Sequence, residues 1–156
     1  MNRINIIAMF KKQLHCFTVP LMVLSTLASP GYAADRDYNA PLYVEGATTV
    51  SVDEAKWLFD DGAVFIDTRN PRFFAKAHIP GSHHLDMNGG FTKDSLAAVA
   101  RRDQPIVIYS SGKNCARGYR GAVFAVSWGY EKVYYFRGGF VDWRDVDLPL
   151  VASKQQ

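Results

Sequence analysis

The residues best suited to chemistry lie in one short segment, 115–120, which reads CARGYR. A cysteine thiolate is a strong nucleophile, and arginine guanidinium groups can hold an oxyanion through two parallel hydrogen bonds. Backbone N–H groups at the start of a helix stabilise a thiolate placed there. The segment therefore predicts a reactive Cys115 in an anion-binding loop. A packed, inert thiol beside two solvated arginines, Arg117 and Arg120, is the alternative that the same residues allow.

The place of this segment in the chain favours the reactive reading. It follows an apolar run at 106–109, predicted as a buried strand, and precedes an apolar stretch predicted as a helix over 121–128. Loops that follow strands in parallel sheets carry many active sites. Gly118 would let such a loop curl tightly, since glycine tolerates positive φ. We expect Cys115 to lie in a cradle of backbone N–H groups, open to solvent.

The elements that must position this loop alternate along residues 46–152. Short apolar runs predict strands at 63–66, 106–109 and 133–136, with a possible strand at 82–87. Helical patterns begin at a capping box, Ser51 with Glu54, and recur at 71–77, 93–102, 121–128 and 140–146. This alternation predicts an α/β fold, a small parallel sheet flanked by helices on both faces.

The first 33 residues have the features of a secretory signal peptide. Basic residues lead into an apolar run at 16–28, which contains Pro20 and is shorter than the roughly 20 residues that span a bilayer. Small residues at 31–33 offer a cleavage site. We expect cleavage of residues 1–33, which leaves a lead-in (34–45), a domain (46–152) and a C-terminal tail (153–156) in a periplasmic or secreted protein. An uncleaved membrane anchor is the alternative.

Cleavage would change the charge balance of the protein. The complete chain has 18 Lys and Arg against 15 Asp and Glu, and the three basic residues of the leader account for the difference. A neutral mature chain lacks the clustered positive charge of nucleic-acid-binding proteins. Of the two cysteines, only Cys115 would remain, so no intramolecular disulfide is expected. We expect a monomer without nucleic acid or membrane partners.

Five motifs, in order, resemble those of rhodanese-homology domains. The Cys-x-x-Gly-x-Arg spacing at 115–120 resembles the family's active-site loop. The others are an opening helix at 51–55 (SVDEA), a strand ending at 65–69 (FIDTR), a turn at 77–81 (AHIPG), and a closing pattern of Gly138-Gly139-Phe140, Trp143 and Leu148-Pro149. The match extends over residues 46–151, so the resemblance implies the rhodanese fold.

The resemblance also implies a reaction, without a cofactor or metal. A sulfane sulfur would move from a small anionic donor similar to thiosulfate to a thiol, a partner protein or cyanide, through a persulfide on Cys115. Arg120 and Arg117 would bind the substrate together with Ala116, Gly118 and Tyr119, and Asp67 and Arg69 would support the site. Related phosphatases have a longer loop, so sulfur is favoured over phosphate.

One departure leaves the position of the nucleophile open. In most members of the family the cysteine directly follows the strand, where this sequence has Ser110. In one register Ser110 replaces the nucleophile, and the domain is an inactive binding module. In the other, which we favour, 110–114 is an insertion and 115–120 is the working loop. A third interpretation is a thiol-redox or sulfur-carrier partner of a periplasmic enzyme.

Histidines and tryptophans outside segment 115–120 are expected to have structural roles. His78, His83 and His84 lack the companion ligands of a metal site, so no metal is predicted. Trp57 and Trp143 are interpreted as packing residues. Within segment 115–120, Tyr119 could restrict access to Cys115.

Overall fold

A computed structural model describes residues 39–153. Within this range five short strands alternate with five helices. The strands are β1 (Thr48–Thr49), β2 (Val64–Asp67), β3 (His83–His84), β4 (Ile106–Tyr109) and β5 (Val133–Phe136). The helices are α1 (Val52–Asp60), α2 (Pro71–Lys76), α3 (Lys93–Ala97), α4 (Arg117–Ser127) and α5 (Gly139–Asp145).

The strands form one parallel sheet in the order β1-β5-β4-β2-β3. The register pairs Asp67 with Tyr109, and Tyr109 with Phe136, so the three central strands end level with one another. The loops that follow them therefore emerge side by side at the carboxyl edge of the sheet. The predicted α/β fold with a small parallel sheet is confirmed.

Successive residues of each strand point to opposite faces of the sheet, and helices cover both faces. One core joins the sheet to α3 and α4; its members include Ile66, Ile108, Tyr135, Leu96, Ala122 and Ala125. The other core joins the sheet to α1 and α5; its members include Phe65, Val107, Tyr109, Leu58 and Trp143. Because both faces are buried, the central strands β2, β4 and β5 are largely apolar, as the sequence pattern indicated.

The predicted capping box opens α1. The Ser51 side chain accepts a hydrogen bond from the backbone N–H of Glu54, and the Glu54 carboxylate accepts one from the backbone N–H of Ser51 at 2.7 Å. These two bonds satisfy N–H groups that a helix otherwise leaves without partners at its first turn. The start of α1 is therefore fixed by local sequence.

The predicted start of α4 near Gly121 is wrong, because the helix begins at Arg117. The backbone N–H of Arg120 already donates to the carbonyl of Ala116 at 2.9 Å. Gly118 is expected in the loop and Gly121 at the start of the helix, yet both are buried residues within the helix that face the sheet. A Cβ on Gly118 would lie 3.2 Å from the Ser110 nitrogen. Glycine at 118 therefore permits close packing of helix on strand.

Three smaller expectations differ from the structure, and one strand was not predicted. Helix α3 ends at Ala97 because the next residues tighten into a turn, in which the N–H of Val99 donates to Leu96. Only His83–His84 of the possible strand at 82–87 pairs with a neighbour, and β1 was not predicted. Trp57 is 63% exposed and does not pack in a core, whereas Trp143 is fully buried.

The signal-peptide prediction for residues 1–33 lies outside the described residues. Between residues 39 and 153, no helix has the length and apolar character needed to cross a membrane.

Candidate active site

The loop 110–116 joins β4 to α4 at the carboxyl edge of the sheet and is anchored to the start of α5. The carbonyl of Ser110 accepts the N–H of Phe140 at 2.9 Å, and that of Ser111 accepts the N–H of Val141 at 3.0 Å. Gly139 makes this approach possible: it has φ +59°, and a Cβ there would overlap the Ser110 carbonyl. The loop conformation therefore depends on a segment that follows it by more than 20 residues.

Ser110 and Cys115 meet at the centre of this loop. The Ser110 Oγ lies 3.1 Å from the Cys115 Sγ, within hydrogen-bonding distance for sulfur. Ser110 is 3% exposed, whereas Cys115 is half-buried and reaches the surface. The loop folds back on itself, so the side chains at its two ends share one location. The backbone N–H of Cys115 also donates to Gly112 at 3.0 Å, which tightens this turn.

This geometry bears on the two registers. The insertion interpretation depends on a working loop at 115–120 followed by a helix near Gly121, and the early start of α4 contradicts that division. Ser110 directly follows β4, the place of the nucleophile in the resemblance. Cys115 nevertheless brings its sulfur to the same location. The serine position and the reactive-thiol position are therefore neighbours in space.

The surroundings of Cys115 act on its pKa in opposite directions. Burial of the thiol raises the pKa. Hydrogen bonds from the Ser110 hydroxyl and from the backbone N–H groups of Arg117 and Ser111 lower it, as does the positive charge of Arg117. The net effect is a lowered pKa, so the loop favours the nucleophilic thiolate.

Of the five residues predicted to bind substrate, Ala116 and Arg117 lie at the start of α4, and the other three lie further along the helix. Ala116 is the residue before α4, and Arg117, at the first helical position, lies beside the thiol. Arg120 is exposed one turn further along. Gly118 packs against the end of β4, and Tyr119 packs inward, with its ring centroid 6.3 Å from that of Tyr135. The predicted placement of Gly118, Tyr119 and Arg120 in a loop is wrong, because the three residues are helical.

A surface pocket of about 350 Å³ opens beside the thiol. It is lined by Ser111, Gly112, Lys113, Asn114, Cys115, Val141 and Asp142. Lys113 and Asp142 form an ion pair of 3.0 Å in this lining. We call this space the cysteine pocket. Lys113 and Asp142 are not predicted as site residues, because the folding back of the loop that brings them near the thiol leaves no sequence signal.

Tyr135 is a third residue whose place near the thiol the sequence does not predict. It is 1% exposed, and its hydroxyl has no hydrogen-bond partner among residues 39–153. Burial raises its pKa to about 12, with smaller contributions from Cys115 and Tyr119 and an opposing one from Arg137. The phenol therefore stays protonated at neutral pH beneath the cysteine loop.

Asp67 and Arg69 form a buried ion pair at the end of β2. Arg69 Nη2 lies 2.7 Å from an Asp67 carboxylate oxygen and 2.7 Å from the carbonyl of Ala77, to which it also donates. The Arg69 guanidinium stacks on the Phe140 ring at 4.0 Å. These contacts connect β2, the turn after α2 and the start of α5, the segment that anchors the cysteine loop.

The histidines have structural partners. The rings of His78 and His84 both stack on the ring of Phe74, with centroid distances of 3.8 and 4.5 Å. His84 Nε2 also lies 2.8 Å from the Arg69 carbonyl oxygen. His83 is exposed. In the part of the chain that the structure describes, no three His, Cys, Asp or Glu side chains come together as a metal site.

Comparison with known sequences gives a family match. Residues 51–145 match the model of the rhodanese-like domain. The thiosulfate sulfurtransferase GlpE of Pseudomonas aeruginosa (strain LESB58) is 34% identical over 97 residues, which cover 62% of this chain and 84% of the relative. The enzyme of the same name from Pseudomonas fluorescens (strain Pf0-1) is 37% identical over 92 residues, with coverages of 59% and 80%.

Solved structures share the fold at lower identity. The Alr3790 protein of Anabaena sp. has a TM-score of 0.58 at 18% identity and covers 67% of this chain and 92% of its own. The polysulfide-sulfur transferase homodimer of Wolinella succinogenes has a TM-score of 0.57 at 20% identity, with coverages of 71% and 82%. At these identities the likeness is one of fold.

Proposed function

Because the chain belongs to the rhodanese-like domain family, we propose that it is a thiosulfate sulfurtransferase-like enzyme that uses Cys115 as its nucleophile. The named relatives are thiosulfate sulfurtransferases. One observation carries the assignment of Cys115: its Sγ lies 3.1 Å from the Ser110 Oγ, where the residue after β4 meets the residues before α4. The thiol thus reaches the place that the resemblance gives to the nucleophile.

The first half-reaction loads the enzyme. The Cys115 thiolate attacks the outer sulfur of thiosulfate, a bond forms between the two sulfurs, and the bond from that outer sulfur to the sulfite group breaks. Sulfite leaves with the electron pair, and Cys115 carries a persulfide. Arg117 stabilises the thiolate and the departing anion through its charge. Arg120 lies three residues further on the same helical face, where it attracts the donor from solvent.

The Ser110 hydroxyl has a distinct part in this half-reaction. It is a neutral group at the buried end of the loop, so it can donate a hydrogen bond to the sulfur without pairing with the Arg117 guanidinium. Backbone N–H groups of Ser111 and Arg117 point to the same sulfur. Three donors around one thiolate replace the water that burial removes.

The second half-reaction unloads the enzyme. An acceptor thiolate or cyanide attacks the outer sulfur of the persulfide, the bond between the two sulfurs breaks, and the Cys115 thiolate is regenerated. The cysteine pocket supports this step because it leaves the thiol open to solvent on the side of Lys113 and Val141. Neither half-reaction requires a metal or an organic cofactor.

The experiment that tests this function follows thiocyanate formed from thiosulfate and cyanide. The wild-type protein should turn over, and Cys115→Ser should not. Ala152→Ser, a substitution of similar size at an exposed residue outside the pocket, is the control. Wild-type protein without thiocyanate formation would contradict the proposal.

A second candidate function rests on a different observation, the serine at the end of β4. If Ser110 replaces the family's nucleophile without compensation, the domain binds a partner and transfers no sulfur. Iodoacetamide separates the two functions because it alkylates thiolates. Alkylation of folded Cys115 at neutral pH, faster than that of the denatured chain, supports the enzyme, whereas an inert thiol supports the binding module.

We extend the proposal to the location and state of the protein. The basic and apolar pattern of residues 1–33 supports export to the periplasm or medium and removal of this segment, and the mature domain would act as a monomer. In such a compartment Cys115 needs a thiol or sulfur donor to protect it from over-oxidation. The mass of the exported protein and its elution volume on gel filtration test the two statements separately.

A further inference from the structure

A second pocket adjoins the cysteine pocket. Its volume is about 420 Å³, and Ser111 and Val141 line both spaces. We call it the basic groove and define it by its seven further residues: Arg69, Phe73, Lys76, Ala77, Phe140, Arg144 and Leu150. Because the two spaces share a wall, a molecule in the basic groove can extend toward the Cys115 sulfur.

The walls of the basic groove are largely apolar. The rings of Phe73 and Phe140 and the side chains of Val141 and Leu150 line it, and Phe73 is 42% exposed. Its volume lies within the range of about 300–1,000 Å³ that is usual for small-molecule sites, which combine apolar walls with a few polar groups. An inorganic sulfur donor such as thiosulfate has no apolar portion to place against these walls.

The charged groups that line the basic groove are all cationic. Lys76 makes no ion pair within residues 39–153, so its charge is free to meet a ligand. Arg69 is 3% exposed and binds Asp67 and Ala77 through Nε and Nη2, while its Nη1 donates to no described residue. Arg144 is held by Asp145 at 2.6 Å. No carboxylate lines the groove, so it favours an anionic group over a neutral one.

We propose that the basic groove binds the sulfur acceptor, and that this acceptor is a small thiol whose aliphatic chain carries a carboxylate. The carboxylate meets Lys76 and the free Nη1 of Arg69, and the chain lies along Phe73 and Phe140. The thiol then reaches the cysteine pocket past Val141. This inference rests on the proposed function, because it assigns a substrate to the second half-reaction.

The transfer step balances without an oxidant. The acceptor thiolate attacks the outer sulfur of the Cys115 persulfide, and a new bond between two sulfurs forms on the acceptor. The bond to Cys115 breaks, and its electron pair returns to the Cys115 thiolate. The acceptor leaves as a persulfide that keeps its carboxylate.

The test uses the complete mature protein, loaded with thiosulfate and freed of excess donor. The persulfide is discharged with mercaptohexanoate or with mercaptohexanol, two thiols of nearly equal reactivity that differ in the terminal charge. Mercaptohexanoate should discharge the persulfide about tenfold more efficiently than mercaptohexanol, which is the usual effect of one charged hydrogen bond. Lys76→Ala should bring the ratio of the two efficiencies close to one, while Lys93→Ala, an exposed lysine outside the groove, should keep it.

A second pair of variants tests the apolar walls. Mercaptohexanoate should be discharged more efficiently than mercaptoacetate, and Phe73→Ala should reduce this advantage several-fold. Phe124→Ala is the matched control, because Phe124 is 39% exposed on α4 and does not line the groove. Both phenylalanines are partly exposed, so neither substitution removes a buried core residue.

The outcomes distinguish the inference from the function on which it rests. If no persulfide forms, the proposed function fails. If the persulfide forms and the wild-type protein treats the carboxylate and the alcohol alike, the groove is not the acceptor site and the function stands. A preference that survives Lys76→Ala likewise overturns the inference.

Discussion

The hydroxyl of Ser110 and the thiol of Cys115 occupy one location, with Oγ and Sγ 3.1 Å apart, although the two residues are separated by the whole turn of the loop. Ser110 is set by the end of β4, and Cys115 by the approach to α4. A cysteine at position 115, on the helix side of the loop, therefore has the same neighbours as a residue at position 110. The backbone N–H groups of the loop and the charge of Arg117 can act on its thiolate there.

Removal of the Ser110 hydroxyl should raise the pKa of Cys115 and slow its reactions. In Ser110→Ala the thiolate loses a charge-assisted hydrogen bond, which is worth about 1.5–3 kcal/mol. Persulfide formation at neutral pH should fall by about tenfold or more. Titration of the thiolate by its ultraviolet absorbance measures the shift. An unchanged titration curve would show that the 3.1 Å contact does not stabilise the thiolate.

Persulfide formation should rise with pH and level off once Cys115 is fully ionised. The surroundings lower the pKa of this thiol, so the plateau should begin at a lower pH than the alkylation plateau of the denatured chain. Arg117→Ala should move the plateau to higher pH, since it removes a positive charge beside the sulfur. Arg101→Ala, an exposed arginine next to Asp103, is the control and should leave the profile in place.

Arg120 should act on the donor and not on the thiol. It is exposed and lies three residues beyond Arg117, the arginine whose charge lowers the pKa of Cys115. Arg120→Ala should therefore raise KM for thiosulfate several-fold without moving the pH profile, and the effect should shrink at high salt because exposed charges are screened. A shifted pH profile in this variant would place Arg120 beside the thiolate instead.

Removal of the Asp67 carboxylate should destabilise the domain. In Asp67→Asn the Arg69 guanidinium stays buried without its counter-charge, which costs about 3–5 kcal/mol. The double variant Asp67→Asn with Arg69→Met should lose less, because it removes both charges. Urea denaturation of the three proteins measures the difference. A double variant less stable than the single one would contradict this account of the pair.

Gly118→Ala should lower the stability of the domain and slow the formation of the Cys115 persulfide from thiosulfate. The added Cβ would lie 3.2 Å from the Ser110 nitrogen and 3.3 Å from the Tyr109 carbonyl carbon, so α4 must move away from the strand end. Overpacking of this kind costs about 1–3 kcal/mol, and the movement displaces the cysteine loop. Gly89→Ala is the matched control, since a Cβ there meets nothing within 4 Å. Equal loading in the two variants would show that the loop tolerates the displacement.

The sequence predicts most of the fold because the elements carry local signals. The apolar runs of β2, β4 and β5 and the capping box of α1 are sufficient to predict those elements. The two-residue strand β1 has no periodicity to detect. The start of α4 was misplaced because Ala116 offers no capping side chain and Gly118 suggests a turn. Glycine allows a close approach as well as a bend, and sequence alone does not distinguish the two.

The site was predicted in part. Cys115 and Arg117 were named from their types and spacing, and the structure places them side by side. The contact between Cys115 and Ser110 could not be predicted, because it depends on hydrogen bonds from Phe140 and Val141 that fold the loop back. Arg69 was named as a supporting residue, yet its place in the basic groove depends on the packing of α2 and α5.

The most direct test of Cys115 as the nucleophile is the intact mass of the protein after incubation with thiosulfate. The wild-type protein should gain the mass of one sulfur atom, peptide mapping should locate it on Cys115, and cyanide should remove it. Cys115→Ser should gain nothing, and Ser110→Ala should still gain the sulfur, though more slowly. A wild-type protein whose mass does not change, or a gain that persists in Cys115→Ser, would contradict the account.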